Sequence, residues 1–102
     1  MYMENLVPSE FYLSQNFPNP FSETTKIKYC LPVKAEVSLI VFNTSGEKVK
    51  ELVDNIQEAG TYEIILDNCD FSSGNYYYKL SAVDLGSGLK RVFNETREMI
   101  YF

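Results

Sequence analysis

Residues 15–21 read Gln-Asn-Phe-Pro-Asn-Pro-Phe, with Pro18 and Pro20 a single residue apart. Proline fixes φ, lacks an N–H and pushes the residue before it into extended geometry, so this stretch can lie neither in a helix nor in a central strand. Phe17 and Phe21 flank the prolines and offer such a stiff segment two aromatic side chains to pin against a core. The segment is expected to be an ordered, extended connection that locks the first strand onto the rest of the fold.

Beyond it, apolar and polar residues alternate with a period of two, the mark of half-buried strands. In residues 24–31, Ile27, Tyr29 and Leu31 share a face, Lys26 and Lys28 point away, and Pro32 ends the run. In residues 36–43, Val37, Leu39 and Val41 share one face while Ile40 and Phe42 take the other. Two apolar faces exceed what a half-solvated strand needs, so this strand is expected to be central and covered on both sides. Asn43-Thr-Ser-Gly46 signals a turn, with Gly46 free to take positive φ, and residues 48–54 return as its hairpin partner.

A turn at Glu58-Ala-Gly60 leads into residues 61–67, where Tyr62, Ile64 and Leu66 line one face. The polar stretch 68–74, closed by Gly74, precedes a strand over 75–83 with Tyr76, Tyr78, Leu80 and Ala82 inward. Residues 84–88 are expected to form a hairpin tip, followed by a last strand that ends near Phe102; only residues 49–56 have an ambiguous period. With residues 11–13 counted, about seven strands punctuated every eight to twelve residues give an all-β antiparallel sandwich. Tyr76 is a candidate for the tyrosine corner of such sandwiches, its hydroxyl bonding back to preceding backbone. Residues 1–10 are expected to fray and residues 11–102 to form one domain.

Composition removes several function classes. An apolar content of 45% argues against disorder. A net charge of −5 with nine scattered basic residues leaves no nucleic-acid surface. No run approaches the ~18–20 apolar residues that cross a bilayer. With no histidine, the commonest general base and metal ligand is missing. Gly86-Ser-Gly88 is too short for a phosphate cradle, nothing activates a serine or cysteine, and the fourteen acids are spread as on a solvated surface. No catalytic residue, cofactor site or small-molecule ligand is expected.

Asp67, Asn68 and Asp70 could contribute oxygens to a calcium site, but Asx residues at such spacing more often build turns. Tyr62, Tyr76, Tyr77 and Tyr78 could form a sugar-stacking platform, yet alternation sets Tyr77 opposite Tyr76 and Tyr78 and makes most of the group core. Asn43-Thr-Ser and Asn94-Glu-Thr match the glycosylation sequon, a pattern too short to carry weight. Cys30 falls in a strand and Cys69 in a loop-like run ahead of the sixth strand, a placement that favours two free thiols over a bridge.

The segment Phe11-Tyr-Leu-Ser-Gln-Asn-Phe-Pro-Asn-Pro-Phe-Ser-Glu-Thr-Thr-Lys-Ile-Lys-Tyr-Cys-Leu-Pro32 resembles the opening of the C-terminal sorting domains (type A) of type IX secretion cargo. The resemblance continues in order through residues 37–46, Ala59-Gly60, Ser73-Gly-Asn-Tyr-Tyr-Tyr-Lys-Leu80 and Thr96-Arg-Glu-Met99. It implies an immunoglobulin-like β-sandwich, similar in turn to the immunoglobulin-like domain of flagellar hook-assembly proteins. Residues 67–70 match the family's Trp-Asp-Gly turn, with Leu66 in place of the aromatic.

Thr96-Arg-Glu-Met-Ile-Tyr-Phe102 resembles the closing Thr-Arg-Lys-Met-Val-Leu-Leu-Lys of the family, which the export machinery reads. Here Glu98 stands for a basic residue, the final lysine is absent, and the hairpin over residues 84–94 is longer than usual. Met99 and Tyr101 share one face of this strand and Ile100 and Phe102 the other, which suits either a strand packed inside the sandwich or an edge that adds to a neighbouring sheet.

The implied function is a non-enzymatic sorting module that takes an exported protein to the cell surface, with export proteins as partners. In that role, residues 15–21, Gly46, Gly74 and Tyr76 are architectural, and Thr96, Arg97, Met99, Ile100, Tyr101 and Phe102 form the recognition strand. Residues 1–8 lack the basic start and apolar stretch of a signal peptide, so the chain is expected to be the tail of a larger exported, secreted or surface protein. The alternative is a free-standing structural or adhesion module that binds a protein or its own copies through strand edges.

Overall fold

The computed structural model describes residues 7–67 and 70–102. It contains seven strands: β1 (Tyr12–Leu13), β2 (Thr24–Leu31), β3 (Ala35–Asn43), β4 (Lys48–Gln57), β5 (Gly60–Asp67), β6 (Gly74–Asp84) and β7 (Val92–Tyr101). They form a three-stranded sheet in the order β1-β2-β5 and a four-stranded sheet in the order β4-β3-β6-β7. Every strand pair is antiparallel. The expected all-β sandwich is therefore present.

The inner faces are the ones the alternation marks. Ile27, Tyr29 and Leu31 from β2 meet Val37, Leu39 and Val41 from β3 and Tyr76, Tyr78, Leu80 and Ala82 from β6 in one buried cluster. Burial of apolar area here, at ~25 cal/mol per Å2, is what holds the two layers together. The buried phenols keep hydrogen-bond partners: Tyr29 donates to Gln57 Oε1 at 2.6 Å and Tyr78 to the Ser14 carbonyl at 2.7 Å. Desolvation pushes both hydroxyls up to about 12, so each remains a donor at neutral pH. Tyr76 donates to the Ser72 carbonyl, the corner contact expected of it. Gly46 takes φ +85° to close the β3–β4 turn, where Asn43 Oδ1 accepts from the N–H groups of Ser45 and Glu47.

Three details depart from expectation. β4 runs on to Gln57 and is bulged twice: Leu39 pairs with Val53 but Ile40 with Glu51, and Val41 pairs with Lys50 but Phe42 with Lys48. The extra residues, Leu52 and Val49, pack toward the core with Val53. Their spacing imitates a helical period, which is why residues 49–56 read ambiguously. Second, β3 is central, but among the described residues no third layer covers its outer face. Ile40 and Phe42 lie half-buried there, beside Lys79 and Tyr77 on β6. Third, Phe21 is pinned in the core at 2% exposure, whereas Phe17 is 79% exposed and pins nothing.

The hairpin tip after β6 is built around a buried carboxylate. Asp84 accepts from Ser87 Oγ, from the Gly86 and Ser87 N–H groups at 2.9 Å each, and from Arg91 Nε at 2.9 Å. A Cβ on Gly86 would sit 3.1 Å from Val33 Cβ, so the tip packs closely on the β2–β3 connection. The Ser87 hydroxyl and N–H, then Arg91 and the Gly86 N–H, hold the Asp84 carboxyl well below the usual carboxylate range. Because its value is depressed on folding, the stabilisation is complete above the unfolded value near ~3.9 and disappears as pH falls below it. The urea midpoint of the native chain should therefore drop between about pH 5 and pH 2, and Asp84→Asn should remove part of that drop. Equal acid sensitivity in the two proteins would count against the assignment.

Candidate functional site

The proline motif and the last strand, remote in sequence, form one assembly. Residues 11–21 run along the side of the sandwich between β2 and β7. Toward β2, the Ser14 N–H donates to the Lys28 carbonyl at 2.8 Å, and Phe17 and Lys26 exchange backbone bonds at 3.0 and 2.9 Å. Toward β7, Phe11 stacks on Phe93 with ring centroids 5.4 Å apart. Arg97 Nε donates to the Leu13 carbonyl at 2.9 Å, and Gln15 Nε2 to the Glu98 carbonyl at 2.6 Å.

Asn19 Oδ1 then accepts from the Ile100 N–H at 2.9 Å. Phe21 donates to the Ile100 carbonyl at 3.0 Å and accepts from the Phe102 N–H at 2.9 Å. This bridge is parallel, and the Phe21 ring stacks on Tyr101 at 5.0 Å. The motif itself is held from beneath by Asn16, which is 1% exposed and donates through Nδ2 to Thr25 Oγ1 at 3.0 Å and to the Pro18 carbonyl at 3.1 Å. Thr25 Oγ1 in turn donates to the Pro18 carbonyl at 2.8 Å. The peptide bonds preceding Pro18 and Pro20 are both cis.

The outward edge of β7 from Glu98 to Phe102 is thus taken up by Gln15, Asn19 and Phe21. Sequence reading gave Gln15 and Asn19 no partner, because their contacts are 83 and 81 residues away. Of the two arrangements open for the last strand, the structure shows an edge strand, but one already buttressed by its own chain. Met99 is fully buried, Ile100 and Tyr101 are half-buried, and Phe102 is 68% exposed. On the outer face of the same sheet, Phe42 pairs with Tyr77 and Tyr77 with Glu98.

A family model described as the secretion system C-terminal sorting domain matches residues 15–93, from the first residue of the proline motif to the second of β7. The chain belongs to this family. No curated protein and no solved structure matches it. Membership makes the sorting domain a signal for type IX secretion, which implies contact with secretion machinery and a secreted or cell-surface protein. Residues 96–102, the expected recognition strand, fall beyond the matched stretch; residues 96–101 continue β7 in unbroken register with β6, and Phe102 follows it.

Other expected positions are placed as follows. Gly74 opens β6 at φ +152°. Cys30 is a free thiol 3.7 Å from Thr61 Oγ1; Cys69 and Asn68 lie outside the described residues. Among the described residues no group of three or more acidic, cysteine or histidine side chains converges as a metal site. Tyr77 is 37% exposed while Tyr76 and Tyr78 are buried, so the tyrosines form no continuous platform. No helix of the described chain is long and apolar enough to cross a membrane.

Proposed function

We propose that the sorting domain presents the outward side chains at the end of β7, chiefly Ile100 and Phe102, to the export machinery and so carries a linked protein to the cell surface. What supports this reading is the buttress: residues 15–21 occupy the backbone edge of Glu98–Phe102, so a receptor meets side chains there rather than an open ladder. An exposed aromatic beside a half-buried aliphatic on a rigid strand is the sort of anchor that interfaces favour. The proline motif then serves recognition indirectly, by fixing where the terminal residues point.

An export assay tests this. The chain is placed behind a signal peptide and a fluorescent reporter, in a host with type IX secretion and in its secretion-deficient mutant. Surface delivery in the competent host alone is the expected result. A folded reporter retained in the periplasm of both hosts would sink the proposal.

A further inference from the structure

Among the described residues the sandwich has four strand edges, and three of them are blunted. β1 is only two residues long. β7 is buttressed by residues 15–21. β4 is bulged twice and carries Lys48, Lys50, Glu51 and Asp54. Short length, bulges, charges and covering segments are the devices by which sheets avoid pairing with other chains.

β5 is neither short, bulged nor covered among the described residues, and its only charges are the acidic Glu63 and Asp67. It pairs with β2 in unbroken register over eight residues, and no described strand lies on its other side. Its sequence, Gly-Thr-Tyr-Glu-Ile-Ile-Leu-Asp, contains no proline or lysine, and Ile65 is 58% exposed on the outer face.

We infer that β5 pairs with β5 of a second copy of this chain, antiparallel and two-fold symmetric about Ile64. The choice of occupant rests on self-complementarity. A two-fold perpendicular to the sheet keeps both cores on the same side only if paired residue numbers sum to an even value. Centring on Glu63 opposes that carboxylate to itself, and centring on Ile65 sets Glu63 against Asp67. Centring on Ile64 joins Ile64 with Ile64, Tyr62 with Leu66, Glu63 with Ile65 and Thr61 with Asp67. Every residue from Thr61 to Asp67 is then paired, the apolar side chains meet on the core side, and no like charges stand directly opposite, the two Glu63 side chains lying diagonally apart. The two three-stranded sheets become one continuous sheet. With −5 on each copy, added salt should tighten the dimer by screening long-range repulsion.

The register makes a charge-sign test possible. Within one copy Ile65 pairs with Lys26 of β2, whereas across the two-fold it faces Glu63 of the other copy. Ile65→Glu therefore gains a repulsion, made twice, across the dimer. Ile65→Lys does the reverse.

Sedimentation velocity of the chain up to about 1 mM should show a monomer–dimer equilibrium. It should be weakened about tenfold by Ile65→Glu and retained or tightened by Ile65→Lys. Urea midpoints measured at concentrations where the chain is monomeric separate association from folding. A monomer at every concentration would overturn the inference. So would equal weakening by both variants, which would signal a generic apolar patch, or indifference to both, which would place the contact elsewhere. None of these outcomes bears on export, so this inference and the sorting proposal fail independently.

Discussion

Phe21→Ala should lower the unfolding free energy by about 3–5 kcal/mol, while Phe17→Ala should change it by no more than about 0.5 kcal/mol. The two residues are symmetric in the motif, each beside a proline, and nothing in their chemistry distinguishes them. Position does: Phe21 is 2% exposed and stacked on Tyr101, and Phe17 is 79% exposed. Truncating Phe21 removes a full aromatic side chain from the core and leaves a cavity under the end of β7, whose backbone bonds to residue 21 remain available. Truncating Phe17 removes area already in water. Urea denaturation, with midpoints compared at constant m-value, measures both. A loss at Phe17 rivalling that at Phe21 would mean that the exposed ring has a structural partner.

That pair also marks where sequence reading stops. Alternation located the strands because each buries one face, and the residues it sets inward in β2, β3 and β6 are buried, though it leaves out Thr25, Ala35 and Asp84 at the strand ends. The family resemblance, too, was carried by local words such as the proline motif and Ser73-Gly74-Asn75-Tyr76. A period of two fails where a strand is bulged, as in β4, since two inserted residues turn the alternation into a pseudo-helical spacing. It is silent in a proline-rich connection, where φ is fixed by the ring and no periodicity tells which aromatic turns inward.

Least legible was the joining of motif to terminal strand. Gln15, Asn19 and Phe21 meet Glu98, Ile100 and Phe102 only because β1 and β7 are edges of opposing sheets on the same side of the sandwich. Such proximity is a property of topology, not of either segment. The Asp84 cluster is intermediate: Asp84-Leu-Gly-Ser-Gly88 signals a turn, but the ion pair of Asp84 with Arg91 depends on how long the hairpin loop is.

Within the last strand, stability and recognition should come apart at neighbouring positions. Met99→Ala is expected to cost about 2–5 kcal/mol, since Met99 is fully buried in the core and pairs with Tyr76. Phe102→Ala is expected to leave the urea midpoint nearly unchanged, because its ring is 68% exposed and its N–H keeps the bond to the Phe21 carbonyl. In the export assay the order reverses in meaning. Met99→Ala should lower delivery only as far as it lowers the amount of folded protein, whereas Phe102→Ala should reduce delivery of a protein that is as stable as the original. Export that tracks folded fraction alone, with Phe102→Ala delivered at full yield, would show that the exposed terminus is not read and would move recognition to the body of the sandwich. If instead delivery falls with stability intact, the buttress acquires its function: the bonds from Gln15, Asn19 and Phe21 hold the strand end in place so that its outward side chains meet the receptor already ordered, with less conformational entropy lost on binding.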